Sequence, residues 1–103
     1  MLRLILLPLG LSLSLTAQAG GDVEAGKMIF MELAQPSCAL CHSLRDAGAE
    51  GQIGPSLDEL KPTEAQVVQA VTNGVGIMPA FKDSLSPEQI ADLARYVERA
   101  VRP

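Results

Sequence analysis

The sequence predicts a small all-α protein with three principal helices. Residues 22–33, 63–73 and 86–101 each place apolar side chains three and four positions apart, the spacing of a helix with one buried face. No segment alternates apolar and polar residues over the length of a strand. The chain has only two Phe, one Tyr and no Trp, so side chains alone make a marginal core for a domain of this size. We therefore expect a large apolar group to complete the core.

Residues 1–19 have the composition of an export signal. Arg3 precedes an apolar run over residues 4–15, and Ala17-Gln18-Ala19 supplies the small residues that signal peptidase requires. A membrane anchor is the alternative, but a spanning helix needs about 20 apolar residues, and this run is shorter and broken by proline, glycine and serine. We expect a cleaved signal peptide, one periplasmic domain over residues 20–103, and no membrane span after cleavage.

The first helix is expected to begin after Asp22, whose side chain suits the cap position. Its apolar stripe consists of Val23, Gly26, Phe30 and Leu33. A glycine inside a helix costs about 1 kcal/mol relative to alanine. Gly26 therefore indicates that another part of the backbone crosses closely at this point.

The segment Cys38-x-x-Cys41-His42 has the pattern of covalent haem attachment. Two thiols three residues apart lie on one face of a helical turn, so both can bond to one haem while His42 turns toward the iron. Zinc would require four ligands, and the chain offers two Cys and one His. A redox dithiol stays open as the alternative, although the preceding segment is helical rather than a strand. We expect one haem c per chain, bound through Cys38 and Cys41.

The middle of the chain predicts a loop followed by a second helix. Residues 45–53 are rich in glycine and have no helical period. The helix is expected to begin after Thr63, because Gln66 completes a capping box with it, and to end at Asn73-Gly74. Its predicted buried face consists of Val67, Val68 and Val71.

The last helix has the strongest signals in the chain. Ser86 is the expected cap, Pro87 suits the first helical position, and Gln89 completes a second capping box. Its apolar residues keep helical spacing to the end of the chain: Ile90, Leu93, Ala94, Val97 and Val101.

A haem iron has two axial positions, and His42 is the only histidine in the chain. The second position must therefore be filled by another side chain, water or a gas. Met78 lies in a loop bounded by Gly76 and Pro79, which could fold back over the opposite face of the haem. Ordinary packing is the alternative for this methionine. We expect His42 and Met78 to be the metal ligands.

Five elements in this order resemble the class I c-type cytochromes, across essentially the whole of residues 20–103. They are Gly26-x-x-x-Phe30, Cys38-x-x-Cys41-His42, Gly54-Pro55-x-Leu57, Met78-Pro79-x-Phe81 and Leu93-x-x-Tyr96. The resemblance implies three principal helices around one covalently attached haem, with the terminal helices crossing where the first and last elements meet. The lack of Trp and the short loops are typical of a small bacterial form.

The same resemblance implies roles for individual residues. His42 and Met78 would be the axial ligands, and the Pro55 carbonyl would accept a hydrogen bond from the ring nitrogen of His42 that faces away from the iron. Such a bond fixes the tautomer and orientation of the imidazole. Residues 38–42, 57–62 and 74–81 are also similar to the cytochrome subunits of proteobacterial sulfite dehydrogenases.

These observations predict a periplasmic electron carrier rather than an enzyme. Six-coordinate iron leaves no position for a substrate, and no Ser-His-Asp set is possible once His42 is committed. The expected partners are an electron-donating dehydrogenase, such as sulfite dehydrogenase, and a terminal oxidase or another cytochrome as acceptor. Without Arg3 the chain contains seven Lys and Arg and twelve Asp and Glu. Because this balance is acidic, nucleic acid is not expected as a partner.

Three alternatives to a free carrier stay open. The first is a tightly bound haem subunit of an oxidoreductase such as sulfite dehydrogenase. The second is a haem enzyme or gas-binding protein, in which Met78 would not bind the iron. The third is a disulfide oxidoreductase without haem.

Overall fold

The computed structural model describes residues 2–12 and 22–103. Residues 2–12, part of the predicted leader, are exposed and form neither helix nor strand. The predicted cleavage motif at residues 17–19 lies outside the described residues. In the part of the chain that is described, no helix has both the length and the apolar character needed to cross a membrane.

Helices make up most of the regular structure between residues 22 and 103. The helices are α1 (Val23–Met28), which continues as a π-helical turn (Ile29–Leu33), α2 (Cys38–Cys41), α3 (Leu57–Leu60), α4 (Glu64–Asn73) and α5 (Pro87–Val101). A short antiparallel hairpin pairs β1 (Ser43–Leu44) with β2 (Ala49–Glu50) around a 3₁₀ turn (Arg45–Ala47).

The caps predicted for the three principal helices are present. The Asp22 carboxylate accepts hydrogen bonds from the backbone of the first turn of α1. Thr63 with Gln66, and Ser86 with Gln89, form complete capping boxes at the starts of α4 and α5. Local sequence therefore fixes where these three helices begin.

The apolar stripe predicted for the first helix is wrong in its last turn. Leu33 is 54% exposed, whereas Ile29 and Ala34 are buried. The Ala34 N–H donates to the carbonyl of Ile29 at 3.0 Å, a spacing of five residues. A π-helical turn inserts one extra residue and so rotates the following positions around the helix axis. The buried face therefore moves by one residue after Phe30.

Three further points differ from the sequence prediction. Residues 45–53 are not simply a loop, because they contain the 3₁₀ turn and β2, and the two-residue strands are too short to show an alternating pattern. The short helix α3 was not predicted, although Ser56 accepts a hydrogen bond from the Glu59 N–H as its cap. Of the three valines predicted to form the buried face of α4, Val67 and Val71 are buried, whereas Val68 is 37% exposed.

The crossing of the terminal helices agrees with the prediction made from Gly26. A Cβ atom added at Gly26 would lie 2.1 Å from the carbonyl oxygen of Asp92 and 2.6 Å from Cβ of Tyr96. One turn further along, in the π-helical turn that continues α1, the ring of Phe30 packs edge to face on the ring of Tyr96 with centroids 6.0 Å apart. Only glycine permits this approach of α1 to α5.

The buried face of α5 forms the centre of the core. All five predicted residues of this face are buried, and so is Tyr96. They pack against α1 and α4, and the remaining buried side chains come from the hairpin, α3 and the segment after α4, among them Leu44, Leu57 and Phe81. Three helices thus enclose one core, as the sequence predicted.

The connection between α3 and α4 contains a left-handed residue. Lys61 has φ +48°. This conformation is unfavourable for a residue with a side chain, because Cβ lies too close to the following carbonyl oxygen. The Arg102 guanidinium donates to the carbonyls of Lys61 and Pro62 at 2.5 and 2.8 Å. The end of the chain therefore holds this connection in place.

We expect Lys61→Gly to raise the free energy of unfolding by about 0.5–1 kcal/mol. A left-handed residue other than glycine costs roughly 1–2 kcal/mol, and the greater freedom of glycine in the unfolded chain offsets about half of this gain. Denaturant unfolding of the intact protein measures the change. Lys61→Ala is the control, since it keeps Cβ and should give no gain. A Lys61→Gly variant no more stable than Lys61→Ala would contradict the prediction.

Candidate cofactor-binding site

The two cysteines lie on the single-turn helix α2, which is tied to the end of the first helix. The Ser37 hydroxyl caps α2 by accepting from the Ala39 N–H at 3.3 Å and contacts the carbonyl of Met31 at 3.0 Å. Cys38 and Cys41 are not joined in a disulfide, and both are partly buried. Two thiols are thus presented from one rigid turn, at opposite ends of a single helical face.

The surroundings of Cys38 disfavour its thiolate form. Burial, together with the neighbouring Cys41, raises the pKa of the Cys38 thiol to about 11. Dithiol oxidoreductases depend on a cysteine pKa lowered to about 3.5–7.5. The environment of Cys38 therefore argues against disulfide exchange, the alternative that the sequence left open.

The imidazole of His42 is oriented by the backbone. His42 Nδ1 lies 2.8 Å from the carbonyl oxygen of Pro55. Because a carbonyl can only accept, Nδ1 carries the proton of the neutral ring, and Nε2 keeps the lone pair that binds a metal. This is the contact that the sequence resemblance implied.

Two glycines allow the chain to pack against the motif. A Cβ atom added at Gly54 would lie 2.6 Å from Cε1 of His42, and one added at Gly51 would lie 2.6 Å from the carbonyl carbon of Cys41. The Gly54 N–H donates to the carbonyl of Cys41 at 2.7 Å. Sequence reasoning assigned no role to Gly51 and none to Gly54 beyond its place in the motif; the glycine richness of residues 45–53 was the available signal.

Met78 lies on a separate segment that is fixed through its backbone. Val75 and Met78 exchange two backbone hydrogen bonds at 2.9 and 3.1 Å, which closes a tight turn. Gly74, with φ +75°, lies so close that a Cβ atom there would be 2.7 Å from the carbonyl oxygen of Met78. On the other side, the Phe81 N–H donates to Val71 of α4 at 2.8 Å. Met78 itself is partly buried against the core.

The donor set suits haem c better than a bare metal ion. The structure brings Cys38, Cys41, His42 and Pro55 together in one local unit, while Met78 comes from the turn after α4. Within residues 2–12 and 22–103, no group of three or more His, Cys, Asp and Glu side chains could hold a metal ion. Two thiols for covalent attachment and an imidazole with a free Nε2 are instead what a covalently bound haem requires.

A family model and a curated relative match most of the chain. The model for cytochrome c oxidase, cbb3-type, subunit III matches residues 21–97. Cytochrome c6 from Leptolyngbya boryana is 38% identical over 80 residues, which cover 74% of this chain and 89% of that protein. The region matched by the model contains both cysteines, His42 and Met78.

Two solved structures are similar in both fold and sequence. The c-type cytochrome SorU from Sinorhizobium meliloti has a TM-score of 0.75 and 49% identity, covering 77% of this chain and 90% of that chain. Cytochrome c6 from the diatom Phaeodactylum tricornutum has a TM-score of 0.63 and 37% identity, covering 80% of this chain and 97% of that chain.

We expect Gly54→Ala to displace the imidazole of His42, because the added methyl group would lie 2.6 Å from the ring. The stability cost should be about 1–3 kcal/mol, as for other overpacked sites, and the visible spectrum of the haem-loaded protein should change with it. Absorbance and denaturant unfolding measure the two effects.

Gly48→Ala is the matched control. Unlike Gly54, Gly48 has a left-handed backbone, with φ +62°, and a Cβ atom there would meet nothing within 4 Å. This variant should lose roughly 1 kcal/mol to backbone strain and keep the wild-type spectrum. A Gly54→Ala protein with an unchanged spectrum would show that Gly54 does not position the ring.

Proposed function

The chain belongs to the class I c-type cytochromes, and we propose that it carries single electrons in the periplasm with His42 and Met78 as the axial ligands of its haem iron. The family matches confirm the predicted fold class and haem c as the cofactor. When bound, haem c supplies a one-electron ferric–ferrous couple. The observation that carries the proposal is the hydrogen bond of 2.8 Å between His42 Nδ1 and the Pro55 carbonyl.

We assign His42 as the first axial ligand through its Nε2 atom. The bond to Pro55 holds the neutral tautomer, and Gly54 lies against the ring and limits its rotation. Hydrogen bonding at the remote nitrogen also makes an imidazole a more basic ligand. Cys38 and Cys41, directly before His42, would form the two thioether bonds that hold the haem edge beside this ring.

We assign Met78 as the second axial ligand. Its thioether comes from a turn fixed on both sides, by Gly74 and by the bond between Phe81 and Val71. A methionine opposite histidine raises the reduction potential of a cytochrome. With both positions filled by the protein, no place is left for a substrate, which supports an electron carrier rather than an oxidase or a gas-binding protein.

We assign residues 1–19 as a cleaved signal peptide that exports the domain formed by residues 20–103. The charge at Arg3, the apolar run and the small residues at positions 17–19 support this assignment. The same assignment places the electron donor and acceptor in the periplasm or on its membranes. The proposed donor is a dehydrogenase, and the proposed acceptor is a terminal oxidase or another cytochrome.

A second candidate function is that of a permanent haem subunit of an oxidoreductase such as sulfite dehydrogenase. The similarity of residues 38–42, 57–62 and 74–81 to cytochrome subunits of those enzymes favours it. In that case the chain would contribute no catalytic residue, and its partner would hold the substrate site.

We expect Met78→Ala to keep the haem covalently attached while opening one axial position. The reduction potential should fall by an amount on the order of 0.1–0.3 V, within the span of about 0.8 V that axial ligands control. Added cyanide or carbon monoxide should bind the variant readily and the wild type poorly. Redox titration and ligand binding followed by absorbance measure these effects.

Met31→Ala is the control for this variant, because Met31 is 41% exposed on the first helix. It should leave the potential and ligand binding unchanged. If Met78→Ala has the wild-type spectrum and potential, Met78 is not a ligand.

Affinity purification of the tagged protein from the native periplasmic fraction separates the two candidate functions. A free carrier should elute as a single haem-containing chain, because electron carriers dissociate from their partners after each transfer. A permanent subunit should elute at a fixed ratio with a larger catalytic chain, which mass spectrometry of the complex would identify. A fixed complex that survives high salt would contradict the free-carrier proposal.

A further inference from the structure

The segment from His42 to Pro55 forms a closed loop, because the hydrogen bond between these two residues joins its ends. Within the loop, β1 and β2 pair as a hairpin, and the turn Arg45–Ala47 forms its tip. After the hairpin the chain returns along the motif, where the Gly54 N–H donates to Cys41. The loop that ends at Pro55 is therefore held at its base by Gly54, and its hairpin tip offers a second place where it can be held.

Asp46 holds the hairpin tip against both terminal helices. The Tyr96 hydroxyl donates to Asp46 Oδ2 at 2.6 Å, and Lys27 Nζ lies 3.6 Å from the same oxygen. Tyr96 is only 2% exposed and packs edge to face on Phe30. The carboxylate of Asp46 is thus bonded to a side chain that is packed in the core where α1 and α5 cross.

The hydrogen bond to Tyr96 is the stronger of these two contacts. The side chains of Lys27 and Asp46 are 41% and 47% exposed, and exposed ion pairs contribute little. Burial, assisted by the hydrogen bond to Asp46, raises the pKa of the Tyr96 hydroxyl, so it remains a donor in neutral and mildly alkaline solution. A short bond from a buried hydroxyl to a carboxylate is charge-assisted and strong.

A second contact holds the other side of the tip. The Arg45 N–H donates to Asp58 Oδ2 of α3 at 2.8 Å, and the side chain of Leu44 is fully buried. These contacts keep the hairpin close to α3, Leu44 and Ala47 pack into the core, and Asp46 adds a polar link from the tip to α1 and α5. The hairpin is therefore attached at its tip and at its base.

We infer that Asp46 is a positioning residue for electron transfer, which keeps the Pro55 carbonyl on His42 Nδ1 by tying the hairpin tip to Tyr96. The inference rests on the proposed role of His42 as an axial ligand. Loss of the tie would let the hairpin move and weaken the bond from Nδ1 to Pro55. A weaker bond makes the imidazole less basic, which stabilises ferric iron less and raises the reduction potential.

The test compares three substitutions at the hydrogen bond between Tyr96 and Asp46 in the haem-loaded protein. Asp46→Ala and Tyr96→Phe remove the hydrogen bond, whereas Asp46→Asn removes the charge but keeps an oxygen that accepts from Tyr96. Hydrogen exchange of the His42 Nδ1 proton, followed by NMR in the ferrous state, should become at least tenfold faster in the first two variants. Their reduction potentials should rise together, and Asp46→Asn, which keeps a weaker neutral hydrogen bond, should lie closer to wild type than to Asp46→Ala on both measures.

Two controls separate positioning from general effects. Asp83→Asn removes a charge from an exposed residue outside residues 42–55, and Val67→Ala lowers stability from a buried site on α4. Both should leave the Nδ1 exchange rate and the potential at the wild-type values. If Val67→Ala moves these values as much as Tyr96→Phe does, Asp46 acts only through stability and the inference is overturned.

Two other results would also overturn the inference. An Asp46→Asn variant that matches Asp46→Ala would show that charge, not the hydrogen bond, is responsible. If Asp46→Ala and Tyr96→Phe both keep the wild-type Nδ1 exchange rate and reduction potential, the hydrogen bond between Tyr96 and Asp46 has no effect on His42. Failure of the proposed function looks different, because wild-type protein would then lack attached haem or would bind carbon monoxide readily.

Discussion

The hydrogen bond from His42 Nδ1 to the Pro55 carbonyl is the constraint on which the site depends. It selects one tautomer, leaves the lone pair on Nε2, and closes a loop of the chain back on the attachment motif. The loop can close only because Gly51 and Gly54 have no side chains where it passes Cys41 and the imidazole. The bond therefore links the sequence of the loop to the proposed axial ligand, because the loop that ends at Pro55 also holds the ring of His42.

The sequence predicts those parts of the fold that near neighbours determine. Capping boxes at Thr63 and Ser86 lie within four residues of chain, and the structure contains both. The π-helical turn Ile29–Leu33 could not be predicted, because it depends on how Phe30 and its neighbours pack on α5 rather than on the local pattern. Gly26 is the exception, since a glycine that disfavours its own helix indicates a distant contact.

The same division applies to the site. The attachment motif and Pro55 could be identified because their spacing is short and characteristic of a family. The contacts of Asp46 could not, because Tyr96 lies 50 residues away and a lone aspartate in a loop has many possible partners. The roles of Gly51 and Gly54 fall between these cases: glycine richness indicated an unusual backbone, but only the structure shows that the space is taken by Cys41 and the ring of His42.

The two proposed axial ligands are held by different means, and this has a functional consequence. The imidazole of His42 is fixed at the side chain itself, by a hydrogen bond and by Gly54, within a loop tied to three helices. Met78 is fixed through its backbone by the turn from Val75 and by Gly74, and its side chain packs against the core, but within the described residues no hydrogen bond orients the flexible thioether. Thioether is also the weaker donor. The iron should therefore remain bound to His42 through any disturbance that the fold survives, and changes in coordination during electron transfer or partner binding should occur on the Met78 side.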